Sequence, residues 1–409
     1  MVLMLAFINC IFGKIKLIRK LKSKSPMNMK KYAFILILSL FFCRVVYSQT
    51  TNDILNVLVQ RNLVTQEEAD SLRADAAIKQ QESDAKKKSF LVTAARSIQL
   101  SGYTQVRYQN LEESGKKSGF DIRRARIDVR GTISPYFGYR LQPDFAGTST
   151  GAFAKLLDAY AEIKIGDFLN FTLGQQKVAL SYENQISDNK SENIDRSQVV
   201  EALVARGKDV IGNQNGRDLG IQVNGSLFTL KDHPFLDYYV GLYNGTGINA
   251  AADNNTSKDV AVRLVLHPLT GLSLGGSYYN GVGNYLLVST DKTTSNEGRN
   301  RWGVELVYES KNLSLHSEYL NGKDNFITKD GYYAQLAYYI ISQKFQVIGK
   351  YDYFDPNKDI SDNATTVYTL GLNYYFNPFV KLQIAYNLKR EQGPQISNNF
   401  AVAQFQIGF

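Results

Sequence analysis

The chain is 409 residues long and carries 47 basic and 38 acidic side chains, a formal net charge of +9. It holds no apolar run of the roughly 20 residues a membrane-spanning helix needs, which excludes a helical membrane protein. Nine of the basic residues and none of the acidic ones fall in residues 1–48, so the remainder balances at 38 against 38 and does not read as a nucleic-acid binder.

Residues 1–48 read as an export signal. "MNMKK" supplies a charged start and "YAFILILSLFF" a short apolar core, with Val46 and Ser48 placed for cleavage before Gln49. Met27 or Met29 is the expected start, with residues 1–26 read as an over-extended beginning; the alternative is a long signal. Both cysteines, Cys10 and Cys43, leave with this segment, so the mature chain has no disulfide framework. Residues 49–90 form a periplasmic preface. Ile54, Leu55, Leu58 and Val59 recur at helical spacing, and Thr65 with Glu68 makes a capping box that opens a second helix through Ala69, Leu72 and Ala76. A polar stretch, "KQQESDAKKKS", follows.

From residue 98 the pattern changes to about ten alternating residues and a turn, repeated. The predicted strands are 98–109, 120–133, 136–145, 155–165 and 168–177. After a long interruption come 217–228, 236–245, 258–267 and 272–280, then 300–309, 313–321, 331–341, 344–354, 365–376, 379–389 and 400–409. That is sixteen, an even number suited to a closed antiparallel transmembrane barrel, an all-β fold spanning 91–409. Tight turns such as "SPYF", "IGDF" and "FNPF" alternate with long polar connections such as 111–119, 285–299 and 355–364. A soluble sandwich has no reason for that asymmetry. Tyr238–Tyr239, Tyr278–Tyr279, Tyr338–Tyr339 and Tyr374–Tyr375–Phe376 sit near segment ends, as aromatic girdles do. The last segment alternates and ends on Phe409, an aromatic end suited to recognition by outer-membrane assembly machinery.

In 120–133, Arg124, Arg126, Asp128 and Arg130 share one face, and Ala125, Ile127, Val129 and Gly131 the other. In 136–145, Phe137, Tyr139 and Leu141 oppose Arg140, Gln142 and Asp144. A strand between lipid and water has this pattern, because a charge facing hydrocarbon costs several kcal/mol. The same parity directs Arg263, Glu305, His316, Glu318, Lys350, Asp352 and Lys389 to the lumen.

Several stretches resemble the phosphate-selective porins O and P: "GFDIRRARIDVRG" (119–131), "LLDAYAEIKIGDFLNFTLGQQKVALSYE" (156–183), "GRDLGIQVNG" (216–225), "YYVGLYNGTG" (238–247) and "KDVAVRLVLHP" (258–268). They fall in that family's order. The resemblance implies a trimeric 16-stranded barrel in outer-membrane lipid, an inward-folded third loop, and basic residues that attract anions. The connection 181–216 fits that loop, and "VVEALVARGKDV" within it suits a short helix. The loop carries Lys190, Arg196, Arg206 and Lys208, but also Glu183, Asp188, Glu192, Asp195, Glu201 and Asp209. The candidate anion-guiding residues are therefore Arg124, Arg126, Arg130, Arg140, Lys177, Lys190, Arg196, Arg206, Lys208, Arg217, Arg263 and Lys350. The competing reading is that the arginines pair with Asp128, Asp144, Asp158 and Glu162 and stiffen the wall.

The expected function is diffusive passage of small anions such as phosphate. The alternatives are a weakly selective general porin and a non-conducting structural or adhesive barrel. No metal-ligand spacing or cofactor-cradling glycine loop is present. His233 and His267 precede prolines and read as turn residues. Ser314, His316 and Glu318 stand in a row on one strand, where side chains point in parallel rather than converge, so no enzyme is expected.

Overall fold

The computed structural model describes residues 98–409 other than 147–153, 231–232 and 287–292, together with eight residues between 59 and 79. The expected export signal and most of the expected helical preface lie outside the described residues. The chain divides into two compact units, Met1–Lys86 and Lys87–Phe409. In the first, Glu68, Ala69, Leu72, Asp75 and Lys79 are helical. The Thr65 N–H donates to the Glu68 carboxylate at 3.0 Å, and the Glu68 N–H donates back to the Thr65 hydroxyl at 3.3 Å. This is the reciprocal capping box, and its hydrogen bonds lower the Glu68 carboxyl from its ordinary value.

The second unit is a closed barrel of sixteen antiparallel strands, each paired with its sequence neighbours and β1 with β16. In chain order they are β1 (Gln99–Leu111), β2 (Gly119–Ser134), β3 (Phe137–Asp144), β4 (Lys155–Gly166), β5 (Leu169–Lys177), β6 (Arg217–Leu230), β7 (His233–Tyr243) and β8 (Asp259–Leu269). The rest are β9 (Leu272–Tyr285), β10 (Ser295–Glu309), β11 (Leu313–Asp324), β12 (Ile327–Ile341), β13 (Phe345–Asp355), β14 (Thr365–Asn377), β15 (Val380–Glu391) and β16 (Phe400–Gly408). Two short helices, α1 (Tyr182–Gln185) and α2 (Gln198–Leu203), lie in the connection from β5 to β6. Alternation places Leu264, Trp302, Val304, Leu336, Leu370 and Leu372 on the outer surface, while Arg126, Gln142, Arg263 and Lys350 are buried inside. The closing seam is specific. Gly102 and Phe409 exchange backbone hydrogen bonds at 3.1 and 3.0 Å, so the final residue completes the β1–β16 ladder with its ring outward.

Four local expectations change. The gap 322–330 between two predicted strands is instead closed by a tight hairpin: β11 runs to Asp324, β12 starts at Ile327, and Asn325 takes the left-handed φ of 52°. Asn tolerates that conformation at little cost, so a polar stretch can turn in two residues. The tyrosine pairs are not wholly girdle residues, since neighbours on a strand take opposite faces. Tyr278 is 52% exposed on the outside, and Tyr279, 1% exposed, lies in the lumen. The outer girdle at the tight-hairpin rim is real, with Tyr374, Phe376 and Phe405 packed edge-on at 4.9 and 6.2 Å between centroids. His233 and His267 sit within β7 and β8 rather than in turns, and His267 Nε2 is 3.1 Å from Asp237.

The fourth change is a β-bulge. Gln105 pairs with Arg124 but Val106 with Ile122, which leaves Arg123 without a partner residue across the ladder. A bulge resets the phase of alternation. Asp121 therefore joins the lumen face and meets Arg107 at 2.6 Å, while Phe120 and Ile122 face outward. Arg123 reaches inward to Asp195 at 3.3 Å.

Candidate functional site

The connection between β5 and β6 lies inside the barrel, held on two sides by different chemistry. On one side it is apolar. Val199, Val200, Ala202, Leu203 and Val204, with Val178, Ala179 and Leu180, pack on Tyr243, Ala261, Tyr279, Leu320, Tyr333 and Phe354 of the wall. Each fully buried Val or Leu contributes about 1.5–3 kcal/mol, so this patch fixes α2 against β7–β13. The helix is shorter than "VVEALVARGKDV" suggests. It ends at Leu203 and Ala205 turns left-handed, with φ 50°. At the neck of the loop, Gly216 has φ 70°, and any Cβ there would collide with Asn184. The Asn184 amide donates to Val178 and Gly216 carbonyls at 3.3 and 3.1 Å, closing the neck.

The other side is polar. Gln105, Gln406, Gln383, Asn373, Gln346 and Gln335 project inward from consecutive strands β1, β16, β15, β14, β13 and β12. This belt of amides receives the loop tip. Gln406 donates to the Asn189 carbonyl at 3.2 Å, and Gln383 and Asn373 donate to the Glu192 carbonyl at 2.7 and 2.9 Å. The Glu192 carboxylate accepts from Gln346, Gln335 and Ser314 at 2.7, 2.8 and 2.7 Å. Hydrogen bonds to a charged group are worth about 1.5–3 kcal/mol each, so Glu192 is a strong anchor.

The arginines meet carboxylates. Asp188 lies 3.3 Å from Arg124, 2.5 Å from Arg126 and 2.6 Å from Arg196. Burial alone would raise the Asp188 carboxyl. Arg124, Arg196 and Arg126 outweigh it and hold the group well below the usual range. Arg126 also meets Asp144 at 2.7 Å, Arg140 meets Asp128 and Asp158 at 2.8 and 2.9 Å, and Arg217 meets Asp158 at 2.6 Å. Glu162 meets Lys164 at 3.3 Å rather than an arginine. Arg206 is the exception in the loop: its guanidinium donates to Asn184 Oδ1 at 2.8 Å, and burial pushes its pKa down.

Beside a cavity of about 370 Å³ where Glu183, Glu192 and Glu309 face Lys190 and His316, two basic cavities flank this plane. The inner one, toward the tight-hairpin rim, is about 390 Å³ and is lined by Arg126, Arg130, Lys177, Lys190 and Arg217, with Asp128 and Asp188 as its carboxylates. The outer one, toward the long connections, is about 320 Å³ and is lined by Arg107, Arg123, Arg196, Lys208, Lys350 and Lys389, with Asp195, Glu201 and Asp352. Of the twelve candidates, five thus line the inner cavity and three the outer. Arg124 and Arg206 are buried between loop and wall, Arg140 lies between two aspartates, and Arg263 is apart, paired with Glu305 at 2.5 Å. Lys177 is less a free charge than a clamp, donating to the Gln185 and Ile186 carbonyls at 3.0 and 2.9 Å.

Several residues went unread in the sequence. Arg107 shares a face with Tyr103 and Gln105, so parity could have found it, whereas Arg123 depends on the bulge. Arg299 and Arg301 hold Asp209 and Asp324 at 2.8 and 2.6 Å. His316 lies within 3.3 Å of both the Tyr182 hydroxyl and Glu309, while Ser314 gives its proton to Glu192 rather than to His316. Among the described residues no group of His, Cys, Asp or Glu is placed to hold a metal ion.

A family model described as phosphate-selective porin O and P matches residues 98–409. Among solved structures, the chain is similar to an anion-selective porin from Comamonas acidovorans, with TM-score 0.57 and 16% identity over 76% of this chain and 99% of that one. It is similar to the trimer form of OmpT, an outer membrane protein of Vibrio cholerae, with TM-score 0.56 and 12% identity over 76% and 99%. The outer membrane channel DcaP of Acinetobacter baumannii gives TM-score 0.52 and 13% identity over 76% and 97%. No curated protein matches the chain in sequence.

Proposed function

The chain belongs to the phosphate-selective porin O and P family and is an outer-membrane porin, and on that premise we propose that the solutes it passes are small anions, inorganic phosphate among them. The observation that carries this reading is the lining of the two cavities. Five cations face two carboxylates on one side of the loop, and six face three on the other. Two basic chambers in series raise the local anion concentration without a single tight site, and weak successive sites permit flux. Arg130 and Lys190 are the accessible members of the inner chamber, with Lys208 in the outer. Their charges meet a passing anion most directly.

Dense pairing limits the strength of the effect. A close charge pair near a partly solvated wall is worth a few kcal/mol, and Asp128, Asp144, Asp158 and Asp188 cancel much of the arginine charge. The proposal is therefore moderate anion preference. A weakly selective general porin is the second reading, favoured by that same pairing. The working form is proposed to be a homotrimer, as in the trimer form of the similar Vibrio cholerae OmpT. The chain is proposed to be exported on residues 1–48 and assembled through Phe409. Purified protein in planar bilayers under a potassium chloride gradient tests the main reading. A reversal potential on the anion side, reduced conductance on adding phosphate, and stable current support it. A potential near zero selects the general porin, cation preference overturns anion passage, and absence of current points to a structural barrel.

A further inference from the structure

Away from the apolar patch that seats α2, the lumen wall is also apolar on β14–β16. Val367 of β14, Ala385 of β15 and Val402 of β16 face inward and are buried. Ile194 of the loop packs on Ala385 and Val402, with Phe400 beside them. Anchoring Ile194 does not use up the patch. Ile194, Val367, Ala385 and Phe400 together form one wall of the outer cavity. Two ammonium groups border that wall, Lys389 on β15 and Lys208 on the loop. Lys389 Nζ stands 5.7 Å from the centre of the Phe400 ring. Among the described residues neither lysine has a carboxylate within ion-pair reach.

The guanidiniums of this cavity are otherwise engaged. Arg107 is held by Asp121 at 2.6 Å, Arg123 by Asp195 at 3.3 Å, and Arg196 by Asp188 at 2.6 Å. The Arg107 and Arg196 forks that could grip phosphate oxygens in pairs are thus taken, Arg123 gives one nitrogen to Asp195, and point charges remain beside hydrocarbon. A fully hydrated oxyanion gains nothing from Phe400 or Val367 and loses water against them. An anion with an apolar ring matches both halves. The volume, about 320 Å³, lies at the small end of ligand pockets, which run from about 300 to 1,000 Å³.

We propose that the outer cavity is a binding station for small aromatic carboxylates, the carboxylate meeting Lys208 and Lys389 and the ring lying on Phe400, Val367 and Ala385. This rests on the anion-passage reading and names a solute class for it. Such a station sits on the entry side of the loop, where a solute arriving from outside loses part of its hydration before the ion-paired plane.

The test uses the full chain in planar bilayers, with benzoate and acetate added to the side of the long connections. Benzoate should reduce chloride current at a concentration about tenfold below that of acetate, because covering one ring face adds hydrophobic and cation–π stabilisation. Lys389→Gln should raise the blocking concentration of both acids, and Phe400→Ser should bring benzoate close to acetate. If Phe400→Ser does not assemble, Val367→Thr, nearly isosteric, tests the same wall. Equal action of benzoate and acetate on the wild-type pore overturns the station, while chloride preference in the same membranes leaves anion passage standing. A benzoate advantage that survives the apolar-wall variant, or blocking by both acids unchanged in Lys389→Gln, also overturns it. Cation preference in the salt gradient overturns the anion reading itself.

Discussion

Asp188 and Arg196, eight residues apart in one connection, meet at 2.6 Å, with Asp188 lining the inner cavity and Arg196 the outer. This pair stands on the partition between two basic chambers, and Asp188 is shared with Arg124 and Arg126 of the wall. One carboxylate thus touches three guanidiniums between the two cavities.

Replacing Asp188 with Asn should increase anion preference, since the three guanidiniums then lose their common counter-charge. Breaking a buried pair costs about 3–5 kcal/mol, so the barrel should also lose heat resistance. Reversal potential and the temperature of heat modification in gels check the two effects. Unchanged selectivity would mean that ions do not pass this plane.

The pH dependence follows from the same residue. Asp188 is depressed below its unfolded value of about 3.9, so its contribution is fully present above that value and is lost only as pH falls through the lower folded pKa. Selectivity from this plane should therefore be flat from about pH 7 to pH 4.5. A steep change in reversal potential over that window would show that other groups set the barrier.

Glu192→Ala should release the loop tip from Ser314, Gln335 and Gln346. The result expected is a larger single-channel conductance with more frequent current steps, as the tip leaves the amide belt. Glu192→Gln keeps the shape and part of the bonding, and should lie between the variant and the wild type. Conductance identical in all three would show that the tip lies outside the ion path.

Arg130→Gln should shift the reversal potential slightly toward cations without harming assembly, because the side chain is 51% exposed and holds only Asp128, at 3.0 Å. Arg126→Gln should shift it further and lower heat resistance, since Asp144 and Asp188 lose a buried partner. Equal, negligible shifts in both would assign the arginines to the wall alone.

Phe409→Asp should prevent insertion. The residue closes the ladder on Gly102 and presents its ring outward at the rim. A carboxylate there puts a charge where an apolar ring faces outward and removes the aromatic end. Heat-modifiable protein in outer-membrane fractions at the wild-type level would refute this.

The sequence by itself determined the sixteen strands, the face each turns to lipid, and the place of the interrupting connection. A two-residue alternation under two solvents leaves little freedom, so Ile127 and Arg126 announce their sides without any neighbour. Thr65 and Glu68 were legible for a similar reason, because their capping is local. Only the tertiary structure decided which charges meet. Asp188 finds Arg124 and Arg126 across more than sixty residues because apolar packing of α2 and the amide belt fix the loop path. No periodicity marks that path. The bulge at Arg123 and the two-residue turn at Asn325 were hidden as well: each depends on the register of a partner strand, and a single strand read alone carries its own phase but not its neighbour's.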